Sequence, residues 1–313
     1  MTSQKSQKGP IVSSASTQDY VSEEGTLQHK IAVLVLVVSP LVGLVYALYT
    51  LWGDRATWLD VALLIGGWQL TGLGVTIGFH RMLTHDGFKA KWYVKAFFLA
   101  LGSMAFEGAA AIWKAIHTIH HKYSDKEGDP HSPLQGFWYA HMWWLFTGPT
   151  PAERRYARTF MSKDPMLAFF SKTFPLWCVV SLVVPFLIGG ISGYWGNTHA
   201  WSWGSAWQAF VWGGLVRVGL TNHATWSVNS VCHTWGSRMF ITSDRSMNNW
   251  IVALFSAGEG WHHNHHRFPR SPRHGLAWYQ FDPSWIVIWC MSKVGLVWGL
   301  EETLPNWRSE VLS

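Results

Sequence analysis

The sequence predicts an all-α integral membrane protein, with four transmembrane helices beneath a cytosolic helical cap that gathers histidines. Three observations predict it. Apolar runs reach membrane length, lysine and arginine collect on one side of them, and histidines recur at helical spacings on that same side. Only 13% of the 313 residues are charged and 49% are hydrophobic, whereas about 25% are charged in ordinary globular chains. The 23 tryptophans fit aromatic belts at the two membrane interfaces.

Residues 1–30 are polar, rich in Ser, Gln and Lys, and have no apolar h-region. They read as a disordered tail without a cleavable signal peptide, with room for a short interfacial segment near Tyr20. Residues 31–313 read as one membrane domain. Residues 31–51 are uncharged and apolar over the length a bilayer requires, about 20 residues. Residues 58–79 form a second span with Asp60 at its start, and the tight turn between the two makes a hairpin. Residues 174–190 form a third, slightly short and containing Pro175 and Pro185. Residues 206–226 form a fourth, interrupted by Arg217. An intramembrane arginine is a functional candidate unless it snorkels or pairs with backbone carbonyls, and that structural role is the expectation here.

Charge sets the sidedness. Twelve lysines and arginines fall between Arg81 and Lys172, seven follow Trp226 and three precede Ile31, while the opposite loops hold only Arg55. Both termini and the long middle segment are therefore expected in the cytoplasm. Residues 92–113 and 285–298 are apolar but carry Lys95, Glu107 and Lys293. They read as interfacial or cap-buried helices, because crossing would reverse the asymmetry. The net charge of +6, on a chain with such spans, points to anionic lipid or an acidic partner rather than nucleic acid. Cys178, Cys232 and Cys290 form no CxxC pair and are expected to be packing residues.

Most of the 16 histidines fall into groups. HRMLTH holds His80 and His85, HTIHH holds His117, His120 and His121, NSVCH holds Asn229 and His233, and WHHNHH holds His262, His265 and His266. At about 100° per residue, positions i, i+3 and i+4 share one helix face, so each HxxHH can aim three imidazoles at a metal or a close metal pair. His80 and His85 stand about 140° apart on an ideal helix, and are expected to serve two different ions. His263 falls outside the HxxHH template and is expected not to bind metal. His29, His131, His141, His199, His223 and His274 are assigned to packing. So many ligands exceed one ion's needs and suit two ions with open positions, though imidazole alone does not distinguish Zn, Cu, Fe and Ni. A ferritin-like site needs two ExxH motifs, and only one occurs, at Glu259 to His262.

These residues resemble the membrane-bound fatty acyl desaturases, in particular the Δ9 branch of bacterial or cyanobacterial type. The likeness is carried by GFHRMLTH, HTIHHKYSDKEGDPHSP, TWSVNSVCH, GEGWHHNHHRFPRSPRHG and WYQFDPSW, and runs from about residue 31 to 300. It implies two irons held by His80, His85, His117, His120, His121, His233, His262, His265 and His266, with Asn229 acting through water. It implies O2-dependent insertion of a cis double bond at carbon 9 of a saturated C16–C18 chain, carried as acyl-CoA or acyl-lipid. Two electrons would come from NAD(P)H through a separate carrier of ferredoxin or cytochrome b5 type and its reductase. The second box departs from the usual HRxHH, with Thr118 in place of Arg.

Asp125, Asp129 and Glu259 are candidates to orient ligand imidazoles. Arg154, Arg155 and Arg158 are expected to enforce topology, with carrier docking as the alternative. A di-iron acyl or alkyl hydroxylase would use the same ligands and differs in its product. A metal-ion transporter would place polar ligands at mid-span, where this sequence has almost none.

Overall fold

The first helix starts before its apolar run. In the computed structural model, which describes residues 23–53, 55–196, 199–300 and 307–311, α1 covers Leu27–Trp52. Thr26 caps it by accepting from His29 N at 3.2 Å, so the last polar residues before the apolar run form its first turn. Glu23–Glu24 pair antiparallel with Thr147–Gly148, so the end of the expected disordered tail is ordered by a strand partner far along the chain. Residues 1–22, Tyr20 included, lie outside the described residues. The second helix, α2 (Trp58–Leu73), opens with a capping box: Asp60 Oδ2 accepts from Thr57 N at 2.8 Å, and Asp60 N donates to Thr57 Oγ1. The charge at the start of the second span is a helix cap.

Beyond Leu73 the helix continues as a π-helical segment, Gly74–Thr84. Here bonds close on the fifth residue: His85 N donates to His80 O at 3.1 Å, and Thr84 Oγ1 to Phe79 O at 2.7 Å. The segment packs against α3 (Trp92–Ser103). Gly74 permits the approach, since a Cβ there would lie 2.2 Å from Gly102 N. Gly74→Ala must push α3 away, at an overpacking cost of about 1–3 kcal/mol. The expected result is a lower thermal midpoint for the detergent-solubilised protein, and an unchanged midpoint would show that α3 moves freely.

The apolar residues 92–113 do not form one helix. They break after Ser103 and resume as α4 (Ala110–Tyr123), with Phe106 and Gly108 at positive φ between them. Neither half is long enough to cross a bilayer. Three helices follow: α5 (Phe137–His141), α6 (Pro151–Lys163) and α7 (Pro165–Lys172). The third apolar helix, α8, covers Phe174–Ser192.

Among the described residues three helices are long and apolar enough to cross a membrane: Leu27–Trp52, Trp58–Thr84 and Phe174–Ser192. The fourth expected stretch is not one of them. It lies in a run of α9 (Trp203–Ala209), a π-helical segment (Phe210–Val216) and α10 (Arg217–Ser230). This run packs against α1, α2 and α8, and Val211, Trp212, Gly213, Gly214 and Val218 are buried. Protein rather than lipid covers it there, so it need not be apolar throughout. Arg217 is buried within it and donates to the carbonyls of Gly213 at 3.1 Å, Met104 at 3.0 Å and Ser181 at 3.2 Å. It pairs with backbone rather than snorkelling.

Short helices α11 (Trp250–Phe255) and α12 (His262–Arg267) precede α13 (Pro283–Lys293). Residues 285–298 are thus helix and then strand, Val297–Trp298 pairing antiparallel with Lys89–Ala90 just before α3.

Candidate metal centre

The histidine groups converge in two adjoining clusters. His80, His85, His117, His121 and His265 form one, and His120, His233, His262 and His266 the other. The second box therefore divides, with His117 and His121 going one way and His120 the other. The third box divides in the opposite sense. The clusters touch, His121 stacking on His266 with ring centroids 4.6 Å apart.

His80 and His85 join the same cluster, their rings 4.8 Å apart. The expectation that they serve different ions assumed α-helical geometry. In the π segment a residue and the fifth one after it stand about a turn apart, so both rings face one way.

Ring nitrogens meet without an intervening donor. His80 Nε2 is 3.1 Å from His265 Nε2, and His265 Nε2 is 2.9 Å from His121 Nε2. His117 Nε2 is 3.0 Å from both His85 Nε2 and His121 Nε2, and His233 Nε2 is 3.0 Å from His262 Nε2. Carboxylates hold the opposite nitrogens of four rings. Glu259 is 2.6 Å from His80 Nδ1, while Asp129, Asp125 and Asp244 are each 2.9 Å from Nδ1 of His120, His233 and His266 respectively. A proton fixed on Nδ1 leaves a lone pair on Nε2, and several lone pairs aimed at one point repel unless a cation lies among them. Nε2 of buried His120 and of His266 has no hydrogen-bond partner. The donor set fits transition-metal ions.

Electrostatics agree. Burial first, and neighbouring imidazoles second, push the pKa of His117, His121, His262 and His265 well below the histidine range, leaving neutral rings able to ligate. Burial would raise the Asp125, Asp129 and Asp244 carboxyls, but the histidine each one holds lowers them below the usual range. His120 is shifted upward, because the charge and hydrogen bond of Asp129 outweigh its burial.

The fatty acid desaturase family profile matches residues 56–290. The chain belongs to the fatty acid desaturase family. It is 35% identical over 309 residues to a hex-5-enoyl-[acyl-carrier protein] acetylenase of Moorena producens, covering 95% of this chain and 91% of that one. It is 35% identical over 253 residues to an sn-1 stearoyl-lipid 9-desaturase of Anabaena variabilis, covering 80% and 87%. It is 36% identical over 245 residues to Delta-9 acyl-lipid desaturase 1 of Arabidopsis thaliana, covering 77% and 74%. The family makes the protein an oxidoreductase of lipid metabolism.

Beside the clusters lies a narrow, mostly apolar cavity of about 50 Å³. His80, His117 and His262 line one end, and Trp68 and Gly72 of α2 also line it. Trp113 forms a wall, stacked on His117 at 5.0 Å, and Asn229 lines the cavity from α10.

His263 stands apart from both clusters. Its Nε2 lies 3.0 Å from the backbone N and O of Phe240, and its Nδ1 is 3.2 Å from Ser246 Oγ. It anchors the loop whose Asp244 holds His266.

Sequence reasoning missed Asp244, which sits in an ordinary TSDRS stretch and gave no signal. It also missed Arg81, which is buried between Glu259 and Asp282 at 3.1 and 3.0 Å. His131 and His274, assigned to packing, touch the clusters: His131 lies 4.4 Å from the His120 ring and His274 4.5 Å from His265. Asn248 and Gln280 went unnoticed too. Asn248 Nδ2 donates to Asn264 Oδ1 at 2.7 Å, and Asn264 Nδ2 donates to Gln280 Oε1 at 2.9 Å. These bonds fix α12, which at six residues would not be stable alone.

Proposed function

We propose that the protein is an O2-dependent fatty acyl desaturase that inserts a cis double bond at carbon 9 of a saturated C16–C18 chain. One observation carries this reading: nine neutral or carboxylate-held imidazoles converge in two adjoining clusters beside a narrow apolar cavity. His80, His85, His117, His121 and His265 would hold one iron. His120, His233, His262 and His266 would hold the other, with Asn229 acting through water. Carbon 9 is supported by the Anabaena and Arabidopsis relatives. The substrate class is acyl-CoA or acyl-lipid. The four helical stretches cross the bilayer, with the termini and clusters on the cytoplasmic side, where lysine and arginine predominate.

An aliphatic C–H bond offers no acid–base handle, so bound irons would supply the oxidising power, O2 with two electrons and two protons taking two hydrogens from the chain and leaving as two waters. The chain's residues do the rest. Asp125, Asp129, Asp244 and Glu259 fix each Nδ1 proton and ring orientation. Trp113 and the apolar walls keep the cavity dry and hold one pair of carbons beside the clusters. A separate ferredoxin or cytochrome b5-type carrier, reduced from NAD(P)H by its own reductase, delivers the electrons.

The test is gas chromatography–mass spectrometry of total fatty acids from a host without its own desaturase but with an electron carrier. A new cis-9 monoene is expected. A hydroxylated chain would move the protein to the hydroxylase reading. Asp244→Ala, which frees His266 Nδ1, is expected to weaken metal binding about 10- to 100-fold. Chelator competition on the purified protein measures this, and unchanged affinity would remove Asp244 from the site's support.

A further inference from the structure

Glu107 is an interior acid that the metal centre described above does not use. It lies in the turn between α3 and α4 that breaks the apolar stretch 92–113, where Phe106 and Gly108 take positive φ. Three side chains of the fourth helical stretch hold this turn. Arg217 Nη1 donates to Met104 O at 3.0 Å. Asn222, with its amide turned to donate, reaches Ala105 O at 2.9 Å and Glu107 Oε1 at 3.0 Å. Thr225 hydrogen-bonds the Glu107 carboxyl. Glu107 also lines a second and much larger cavity, of about 670 Å³, while Thr225 lines the narrow cavity beside the histidines. The pair therefore spans the partition between the two.

The hydrogens of this pair can be counted. The Thr225 hydroxyl has one, and donates it to Thr221 O at 3.1 Å. The hydrogen between Thr225 and Glu107 then comes from the carboxyl, which is neutral and keeps Oε1 to accept from Asn222. Desolvation agrees, pushing the Glu107 carboxyl up to about 8 against the Thr225 hydrogen bond. Neighbouring charges are committed elsewhere. Arg217 donates to the carbonyls of Gly213, Met104 and Ser181. Of the other titratable groups lining the large cavity, His29 Nε2 is 2.8 Å from Leu145 O, Asp129 holds His120, and Glu153 accepts from Thr150 N at 2.8 Å. Cys178 of α8 and the exposed Glu127 complete the set. On the histidine side, Asn229 follows Thr225 by four residues, so the two share a face of α10, and both line the narrow cavity.

We infer that Glu107 feeds protons to the metal centre, through the Thr225 hydroxyl and along α10 towards Asn229. This rests on the desaturase reading, whose balance requires them: a CH2–CH2 pair, O2, two electrons and two protons become a CH=CH pair and two waters. In each transfer the Glu107 O–H bond breaks and its proton passes to Thr225 Oγ1. The Thr225 hydroxyl hydrogen, turned from Thr221 O towards the narrow cavity, passes to a water beside Asn229. The Glu107 carboxylate regains a proton from solvent through the large cavity. Glu107 thus acts through Thr225 and touches no reacting atom.

The experiment uses the iron-loaded full chain in nanodiscs with a reduced carrier, and stearoyl-CoA or stearoyl phosphatidylcholine, whichever the wild type converts. Glu107→Gln keeps the size and still accepts from Asn222, but has no proton to give. It should lower kcat by on the order of 100-fold, with KM and iron content unchanged. Wild-type kcat should fall as pH rises through about 8, where the carboxyl loses its proton, and Glu107→Gln should lack that fall. Glu107→Asp and Thr225→Ser should recover most of the rate, whereas Thr225→Val should be as slow as Glu107→Gln. A Glu107→Gln enzyme at the wild-type rate overturns the inference, and so does a slow one whose rate still falls in the same pH range. Infrared spectroscopy reads the proton without turnover. At neutral pH the wild type should show a carboxylic acid C=O stretch that Glu107→Gln lacks and Thr225→Val keeps, and identical spectra overturn the inference. No product from the wild type, with iron bound, counts against the desaturase reading, while the infrared band still decides whether Glu107 holds a proton.

Discussion

Replacing His265 by alanine is expected to abolish product formation and to lower bound iron to about one ion per chain. His265 is the contribution of the third box to the five-histidine cluster, with Nε2 within 3.1 Å of His80 and 2.9 Å of His121. It sits where α12 reaches across to α4 and the π segment, so its removal opens that cluster on one side. The other cluster keeps all four of its rings. Iron and activity should therefore separate: one ion remains, but a reaction needing both fails. Metal analysis of the purified variant beside product analysis checks this. Two irons in an inactive variant would mean that His265 is no ligand, and full activity would refute the assignment outright.

The second large effect is on stability. Arg81→Met removes a fully buried guanidinium that pairs with Glu259 and Asp282 and donates to Pro272 O at 2.8 Å. Two carboxylates then remain buried without their cation. Breaking a buried pair in this way costs about 3–5 kcal/mol. Partial compensation keeps the loss near the lower end, because Glu259 still receives His80 Nδ1–H and Asp282 still accepts from His274 N at 2.8 Å and Gly275 N at 3.1 Å. The thermal midpoint in detergent should fall by several degrees, and Arg81→Met combined with Glu259→Gln should recover part of the loss. A midpoint within about a degree of wild type would show that the carboxylates relax into water. Because Glu259 also orients His80, metal affinity should fall in the same variant.

Several features were legible in the residues because each depends on neighbours in sequence. The backbone pairing expected of Arg217 is partly local, through the carbonyl of Gly213 four residues before it, although Met104 and Ser181 complete it from distant elements. The HxxHH spacing puts its rings on one helix face wherever the helix lies. The same locality misled where the backbone left α geometry. His80 and His85 look divergent until i→i+5 bonding turns them together, and HRMLTH carries no mark of a π segment.

The broken helix between Ser103 and Ala110 also escaped notice, since an apolar stretch looks the same whether it runs on or folds back. What the sequence determined by itself was which residue types face one way along each element. Helical period is enough for that. Only the tertiary structure decided how HTIHH and WHHNHH divide between two clusters, and that Asp244 and Arg81 belong to the site. Each of these depends on where distant elements come to rest against one another, and that follows from packing and desolvation across the whole chain.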